Sequence, residues 1–318
     1  DTNLNSKAFR KIPRNGKQRH QYLKVPNLGW VKMTERLRFI GKINGVVISQ
    51  QGDKYFASFS VQATEDEYKR THPKADTDKG ARMAGVDLGI KSALILSGGI
   101  AVENPKPLKK NLRKIKRISR QLDKRVHARN KQERLEGKKK SNNYRKLSVR
   151  LSNAQRKVAN IRRDFTQKVT TILTTHYAHI ALEDLNVKGM VRNHRLAQSV
   201  SDVAFGELCR QIEYKSMLNG VKVLKADRFY PSSKTCSVCG HIKQDLRLSD
   251  RIYHCAKCGA IIDRDYNASL NLLSLIIKKQ IGADYPESTP EDLTALLSRF
   301  VRNGIATSKV ETGRQHKL

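Results

Sequence analysis

Apolar positions in this chain change period several times, and each change marks a different element. Tyr55, Ala57, Phe59 and Val61 alternate with Phe56, Ser58, Ser60 and Gln62, the period-two pattern of a half-buried strand. Gln51-Gly52-Asp53 offers the turn that leads into it from a strand over Gly45–Gln50. With Tyr22–Val25 and Trp30–Phe39 these strands predict a small antiparallel barrel at the front of the chain. Residues 63–82 are polar and aperiodic and read as a linker. Ala84–Leu96 (AGVDLGIKSALIL) is an apolar run interrupted by Asp87, suited to a buried strand that turns back near Gly89.

The period then lengthens. Leu108, Leu112, Ile115, Ile118 and Leu122 recur every three or four residues, as do Leu147, Leu151, Ala154, Val158, Ile161, Phe165 and Val169. Both stretches predict amphipathic helices, joined as a hairpin across the polar segment Leu135–Asn142. His179–Leu182 is a short buried strand running directly into Glu183-Asp184, and Leu270, Leu273 and Ile277 pattern a last helix. From Ile281 onward Ser, Thr, Glu and Pro predominate, which predicts a poorly ordered tail.

Composition adds an electrostatic asymmetry. The 318 residues carry 63 Lys and Arg against 29 Asp and Glu, a net +34, and 38% are hydrophobic, enough for packed cores. Residues 106–163 alone hold 23 basic side chains and three acids, so this one predicted hairpin supplies +20. An ordinary exposed helix mixes signs through i,i+4 pairs, so a solvated helix pair is the weaker reading. The one-sided charge points to a polyanion, with Lys109, Lys110, Arg113, Lys116, Arg117, Arg120, Lys124, Arg125, Arg145, Lys146 and Arg150 as the contact side chains. No run approaches the length of a bilayer span, and the first residues (DTNLNSK) lack the pattern of a secretory leader. The absence of an initial Met suggests processing, truncation or a fragment, and the expected setting is the cytoplasm, away from any membrane.

Four of the five cysteines form two pairs, Cys236-x-x-Cys239 and Cys255-x-x-Cys258, each followed by glycine (Gly240, Gly259). Two such knuckles predict a closed tetrahedral site for one structural Zn²⁺, better than a redox dithiol, which needs only one pair. His241 and His254 lie beside the ligands without being needed as such, and Cys209 falls on the apolar face of a helix.

Acidic residues interrupt or end the apolar segments in three places: Asp87, Glu183-Asp184, and Asp263 with Asp265. Each has an ordinary explanation on its own, a strand end or a helix N-cap. Together they suit a hard divalent cation such as Mg²⁺, and a metal pair of that kind hydrolyses phosphodiesters.

The motifs GVDLGIKS (85–92), VENP (102–105), RRDF (162–165), ALEDLNVKGM (181–190), DRFYPSSKTCSVCG (227–240), LSDRIYHCAKCG (248–259) and DRDYNASLNLL (263–273) carry a resemblance. In this order the sequence resembles the TnpB (OrfB) family of insertion-sequence proteins, relatives of the type V CRISPR effector nucleases. The resemblance covers most of residues 20–280. It implies an α/β fold: an RNase H-like (RuvC) nuclease domain with a basic helical insert and a zinc ribbon, preceded by a wedge-like antiparallel β-barrel. The implied layout is a wedge-like region at 1–62, a linker at 63–82, and a nuclease core at 83–230 with the basic hairpin at 106–175. A ribbon at 231–262, the last nuclease motif and helix at 263–280, and the tail at 281–318 follow. SKAFRK at 6–11 resembles the end of a segment that family members carry ahead of it, so the barrel is expected without its first strand and recognition helices.

On the same resemblance Asp87, Glu183 and Asp265 are the catalytic, Mg²⁺-holding acids, with Asp263 the weaker candidate for the third position and Asp184 supportive. The implied partners are a guide RNA from the transposon end and a target double-stranded DNA, with no membrane partner. The expected function is an RNA-guided DNA endonuclease accessory to transposition. A nuclease-inactive, guide-bound DNA-binding regulator is the alternative, and an accessory transposase protein a third; no Tyr or His-rich strand-transfer constellation is present.

Overall fold

A computed structural model describes residues 9–14, 18–35, 37, 41–71, 82–127, 141–247, 249–281, 298 and 300–310. The chain divides into two units, residues 1–74 with 129–153 and residues 75–128 with 154–318.

In the first unit β1 (Phe9–Arg14), β2 (Gln18–Val25) and β3 (Gly29–Lys32) form an antiparallel sheet in that order. A separate hairpin pairs β4 (Lys42–Gln51) with β5 (Lys54–Gln62) across the expected turn at Gly52, whose φ of 67° suits glycine. The antiparallel character matches the expectation, but the described residues make two separate sheets without closing into one barrel. The predicted linker is not wholly irregular. It contains α1 (Glu65–Thr71), opened by a capping box in which Thr64 Oγ1 accepts from the Glu67 amide (3.3 Å) and Glu67 Oε2 from the Thr64 amide (2.9 Å).

The second unit is organised by a six-stranded mixed sheet in the order β10-β9-β6-β7-β8-β13. Its strands are β6 (Met83–Leu88), β7 (Ser92–Leu96), β8 (Ile100–Glu103), β9 (His179–Glu183), β10 (Lys222–Ala226) and β13 (Thr307–Lys309). β6, β7 and β8 form a meander, β9 and β10 add parallel to β6, and β13 closes the far edge antiparallel to β8. The parallel pairs are joined by helical crossovers. α2 (Pro107–His127) and α3 (Asn142–His176) lie between β8 and β9; α4 (Val187–Arg192), α5 (Ala197–Val203) and α6 (Phe205–Leu218) lie between β9 and β10.

Alternation sorts the two faces of the sheet. Ala84, Val86, Leu88, Ile180 and Leu182 join Phe165, Val169, Leu173, Phe205, Leu208 and Ile212 in the main core under α3 and α6. The opposite positions, Met83 and Ala181 with Ala226, pack on Leu272 and Ile276 of α7 (Arg264–Ile276). Asp87 and Glu183 fall on this second face by the same period-two rule. Cys209 packs beside the main core, and burial pushes its thiol up to about 11.

The two basic helices appear close to their predicted bounds. Along α3 the expected stripe is buried at Leu147, Ala154, Val158, Phe165 and Val169. The connecting segment 128–140 lies outside the described residues. The α2 N-terminus is fixed from elsewhere in its own unit: buried Asp202 accepts from the amides of Leu108 and Lys109 (both 2.9 Å) and meets Arg162 at 3.4 Å. A carboxylate there satisfies two orphan donors and complements the helix dipole.

The expectation of a poorly ordered tail needs correction. Phe300 and Ile305 are buried in the main core, and residues 307–309 are an edge strand. Two apolar anchors among polar residues suffice once a sheet edge can accept the backbone. Residues 282–297 lie outside the described residues. No described helix is long and apolar enough to cross a membrane.

Candidate active site

The register of two parallel strands assembles the first pair of acids. Val86 of β6 pairs with Leu182 of β9, so Asp87 and Glu183 occupy the next position along neighbouring strands. Both point to the face that carries α7. The helix reaches them because Gly85 has no side chain: a Cβ there would collide with the Ser269 carbonyl oxygen and stand 2.5 Å from the Leu273 nitrogen. Ser269 is one turn beyond Asp265, so this docking brings the start of α7 to the strand acids.

The structure separates Asp263 from Asp265. Asp263 is the N-cap of α7, its Oδ1 accepting from the amides of Asp265 (3.0 Å) and Tyr266 (2.9 Å). Asp265 keeps its carboxylate free of backbone duty and is held by cations instead: Arg264 at 2.8 and 3.0 Å, and Arg251 at 3.6 Å. Asp184, next to Glu183, is tied to Arg228 at 2.7 Å and stands toward solvent.

Both strand acids are displaced from their ordinary values. Burial pushes Asp87 well above its ordinary value, and the charges of Glu183 and Asp265 push it further, against a lowering pull from Arg264. Burial also raises Glu183, offset by the hydrogen bond from the Ser232 hydroxyl and reinforced by Asp265. Such an anionic cluster in a low-dielectric setting attracts either protons or cations. The carboxylates do not close on a single point. Among the described residues, only the four paired cysteines bring three or more metal-ligating atoms within 4.8 Å of one another.

Those cysteines form two equivalent knuckles. Gly240 donates to the Cys236 carbonyl (2.9 Å) and Gly259 to that of Cys255 (3.0 Å), both glycines at φ near 70°. Sγ atoms of Cys236 and Cys258 are 3.7 Å apart, and those of Cys239 and Cys255 are 3.5 Å apart, an arrangement that could hold a structural metal such as zinc. The second knuckle lies between β11 (Ile252–His254) and β12 (Ile261–Asp263), an antiparallel pair. Tyr253 is buried against the thiols and donates to the carbonyls of Lys234 and His241 (both 3.1 Å). His254 is exposed, and His241 contributes its backbone oxygen to Cys236 and Tyr253.

Two asparagines of α7 lock the cysteine segment to the acid-bearing helix. Asn267 accepts from the Ser237 amide (2.9 Å) and donates to the Thr235 carbonyl (2.6 Å). Asn271 donates to the carbonyls of Ser232 (2.7 Å) and Thr235 (2.6 Å). Ser232, Asn267 and Asn271 were not singled out from the sequence. For the two asparagines the signal was their i, i+4 spacing on the same helix, which puts both on one face as buried polar partners; Ser232 carried none.

All eleven basic side chains singled out on the predicted hairpin are exposed. On α2, Arg113, Lys116, Arg117, Arg120 and Lys124 line one groove of about 390 Å³ with Gln121, following the helical repeat.

Residues 58–194 match the family described as "Probable transposase" (OrfB_IS605), and residues 205–272 match the "Cas12f1-like, TNB domain". By these matches the chain is similar to OrfB (TnpB) proteins over most of its length. An Escherichia coli K12 protein named "Putative RNA-guided DNA endonuclease InsQ" is 30% identical over 272 residues, covering 81% of this chain and 62% of that protein. A Streptomyces pristinaespiralis protein named "Putative RNA-guided DNA endonuclease" is 32% identical, over 60% of this chain and 44% of the relative. The chain thus spans less than two thirds of the length of these OrfB relatives. A cryo-EM structure of a CRISPR-Cas12f ternary complex aligns at 17% identity and a TM-score of 0.40, over 72% of this chain and 44% of that one.

Proposed function

We propose that this chain is an insertion-sequence DNA endonuclease directed by a guide RNA from the element's end, and that Asp87, Glu183 and Asp265 form its hydrolytic centre. The observation that carries the reading is the neighbouring register of Asp87 and Glu183, with Asp265 brought to them through Gly85. On this reading the six-stranded sheet with α7 is an RNase H-like (RuvC) core, the four-cysteine segment is a zinc ribbon, and the first unit contributes a wedge-like barrel.

The donor sets fit the metals. Four converging thiols suit one Zn²⁺, and closed coordination gives it a structural role. Three carboxylates, two of them raised chiefly by burial and further by neighbouring acids, suit Mg²⁺, and we read them as the holders of a pair of ions. Mg²⁺ when bound supplies an activated water and neutralises charge at the phosphodiester. The protein's own groups do the placing. The Ser232 hydroxyl orients Glu183, Arg264 and Arg251 hold Asp265, and the Arg228 pair keeps Asp184 turned away as a supporting residue.

Substrate grip falls to the basic helices, with Lys109, Lys110, Arg113, Lys116, Arg117, Arg120, Lys124 and Arg125 on α2, and Arg145, Lys146 and Arg150 on α3. They contact phosphates without reading sequence, which base pairing with the guide supplies. The setting this implies is the cell interior, where element, RNA and chromosome meet.

The test is cleavage of a programmed duplex by purified protein carrying its element-end RNA in Mg²⁺. Target-specific cutting that Asp87→Ala abolishes is the expected result. Equal cutting by Asp87→Ala would remove the acid cluster from the mechanism.

A further inference from the structure

Phe229 has 92% of its surface exposed, more than any other large apolar side chain among the described residues. Single exposed apolar residues are ordinary on loose surface segments. This one is not on a loose segment. It sits in the turn after β10, where the Tyr230 amide donates to the Asp227 carbonyl (2.9 Å) and the Ser232 amide to the Tyr230 carbonyl (2.8 Å).

Both neighbours are anchored to the acid-bearing elements. On one side Arg228 grips Asp184 through two nitrogens, at 2.7 and 3.1 Å. On the other, Tyr230 packs with Met83, Ala181, Leu272 and Ile276 under α7. Three residues on, the Ser232 hydroxyl donates to Glu183, and Asn271 holds the Ser232 carbonyl. The turn is therefore fixed at both ends to the strand and helix that carry Glu183 and Asp265, while the ring between the anchors is left in water.

We propose that Phe229 is a stacking platform for one unpaired nucleobase of the DNA strand that is cut, positioning the adjoining phosphate at the acids. The inference rests on the nuclease reading for its substrate, and it makes Phe229 a positioning residue. An aromatic face suits this role because every base has a π-face, so grip is gained without sequence preference. A rigid mount matters because a stacked base can set the register of a phosphate only if the ring does not move.

The experiment uses the whole chain with its zinc in place and single-stranded DNA carrying 2-aminopurine at successive positions, without Mg²⁺ so that no strand is cut. Stacking quenches the fluorescence at one position in the wild type. Phe229→Ala should lose that quenching and bind the strand about tenfold more weakly, while Phe229→Trp should retain both. Thermal unfolding should be unchanged in both variants, since the ring is exposed. With Mg²⁺, guide and target, Phe229→Ala should raise KM and spread the cut positions, and Phe229→Trp should restore them. Unaltered quenching and affinity in Phe229→Ala would overturn the proposal, even where cutting proceeds. Quenching lost in Phe229→Ala, together with a wild type that never cuts, would sustain the platform and sink the nuclease reading.

Discussion

Gly85 and Ser269 meet backbone to backbone, with no room for even a methyl group between the strand and the helix. Glycine is needed here for close approach, since nothing about its φ is unusual. The contact lies two residues before Asp87 and one turn after Asp265, so it sets the distance between the two acids. Gly85→Ala must push α7 away or distort β6. The expected cost is at least about 2 kcal/mol, the upper range for overpacking a fixed core. Cleavage should fall further than stability, because the displaced group is Asp265. Chemical denaturation beside single-turnover cleavage checks this; a fully active Gly85→Ala protein would show that α7 does not position the site.

The acid cluster predicts an unusual pH dependence for the Mg²⁺-free protein. Asp87 and Glu183 both hold their protons to higher pH in the fold than in the unfolded chain, chiefly because they are buried. The native state then binds more protons than the unfolded state between the ordinary and raised values. Stability therefore falls as pH rises through that window and stays low above it. With the zinc in place and no Mg²⁺, near pH 7.5, Asp87→Asn should raise Tm by about 2–5 °C and flatten the profile, while abolishing cleavage once Mg²⁺ is added. Arg264→Gln, which removes the counter-charge beside Asp265, should lower Tm without Mg²⁺ and enlarge the rise produced by Mg²⁺. Differential scanning calorimetry from pH 4 to 8 distinguishes the two signs.

Much of this architecture was legible because burial and chemistry left opposite marks. An acid inside an apolar run, as at Asp87, stands out since an unpaired buried charge is costly. The two C-x-x-C pairs were legible from spacing alone. What could not be read was long-range pairing. Asp202 caps a helix 93 and 94 residues away in the chain, and no local pattern near it announces that partner. The tail was misjudged for a related reason: Phe300 and Ile305 find their place only because β8 leaves an edge open to residues 307–309. The helix α1 was a different omission, since Thr64 and Glu67 spell its capping box within the segment read as linker.

The asparagine locks tie the cysteine segment to the helix that carries Asp265. Asn271→Ala takes the side-chain donor from the Ser232 carbonyl and leaves Thr235 with Asn267 alone, at a cost of about 1–3 kcal/mol. Because Ser232 also orients Glu183, kcat should fall while single-strand affinity stays close to wild type. Asn219→Ala, a control on the far side of the unit where Asn219 donates to Thr174, should leave kcat intact.

Metal removal should reach the same centre from the other side. One Zn²⁺ per chain is expected, and stripping it frees four thiols that otherwise converge within 4.8 Å. The knuckles would then lose their shape, and with them the carbonyls of Thr235 and Ser232 that Asn267 and Asn271 engage. Chelation or Cys255→Ser should therefore lower Tm and abolish cutting, whereas non-specific nucleic-acid binding survives. Thiol titration with metal analysis gives the stoichiometry; a metal-free protein that cuts normally would separate the ribbon from the site.

The grip on the phosphate backbone should be separable from hydrolysis by its salt dependence. Arg113, Arg117 and Arg120 recur along one groove of α2 and carry no acidic partner within that groove's lining. If each neutralises one phosphate, replacing all three with Gln should reduce the slope of log K against log salt by about 2–3. The effect should be equal for every sequence tested, since phosphate contacts carry no base information. Hydrolysis at saturating protein should persist, because none of these side chains approaches Asp87, Glu183 or Asp265 in the observed hydrogen bonds and ion pairs. Filter binding across 50–300 mM salt, with cleavage measured at saturation, decides it. An unchanged slope would place the phosphate contacts on other basic residues of the chain.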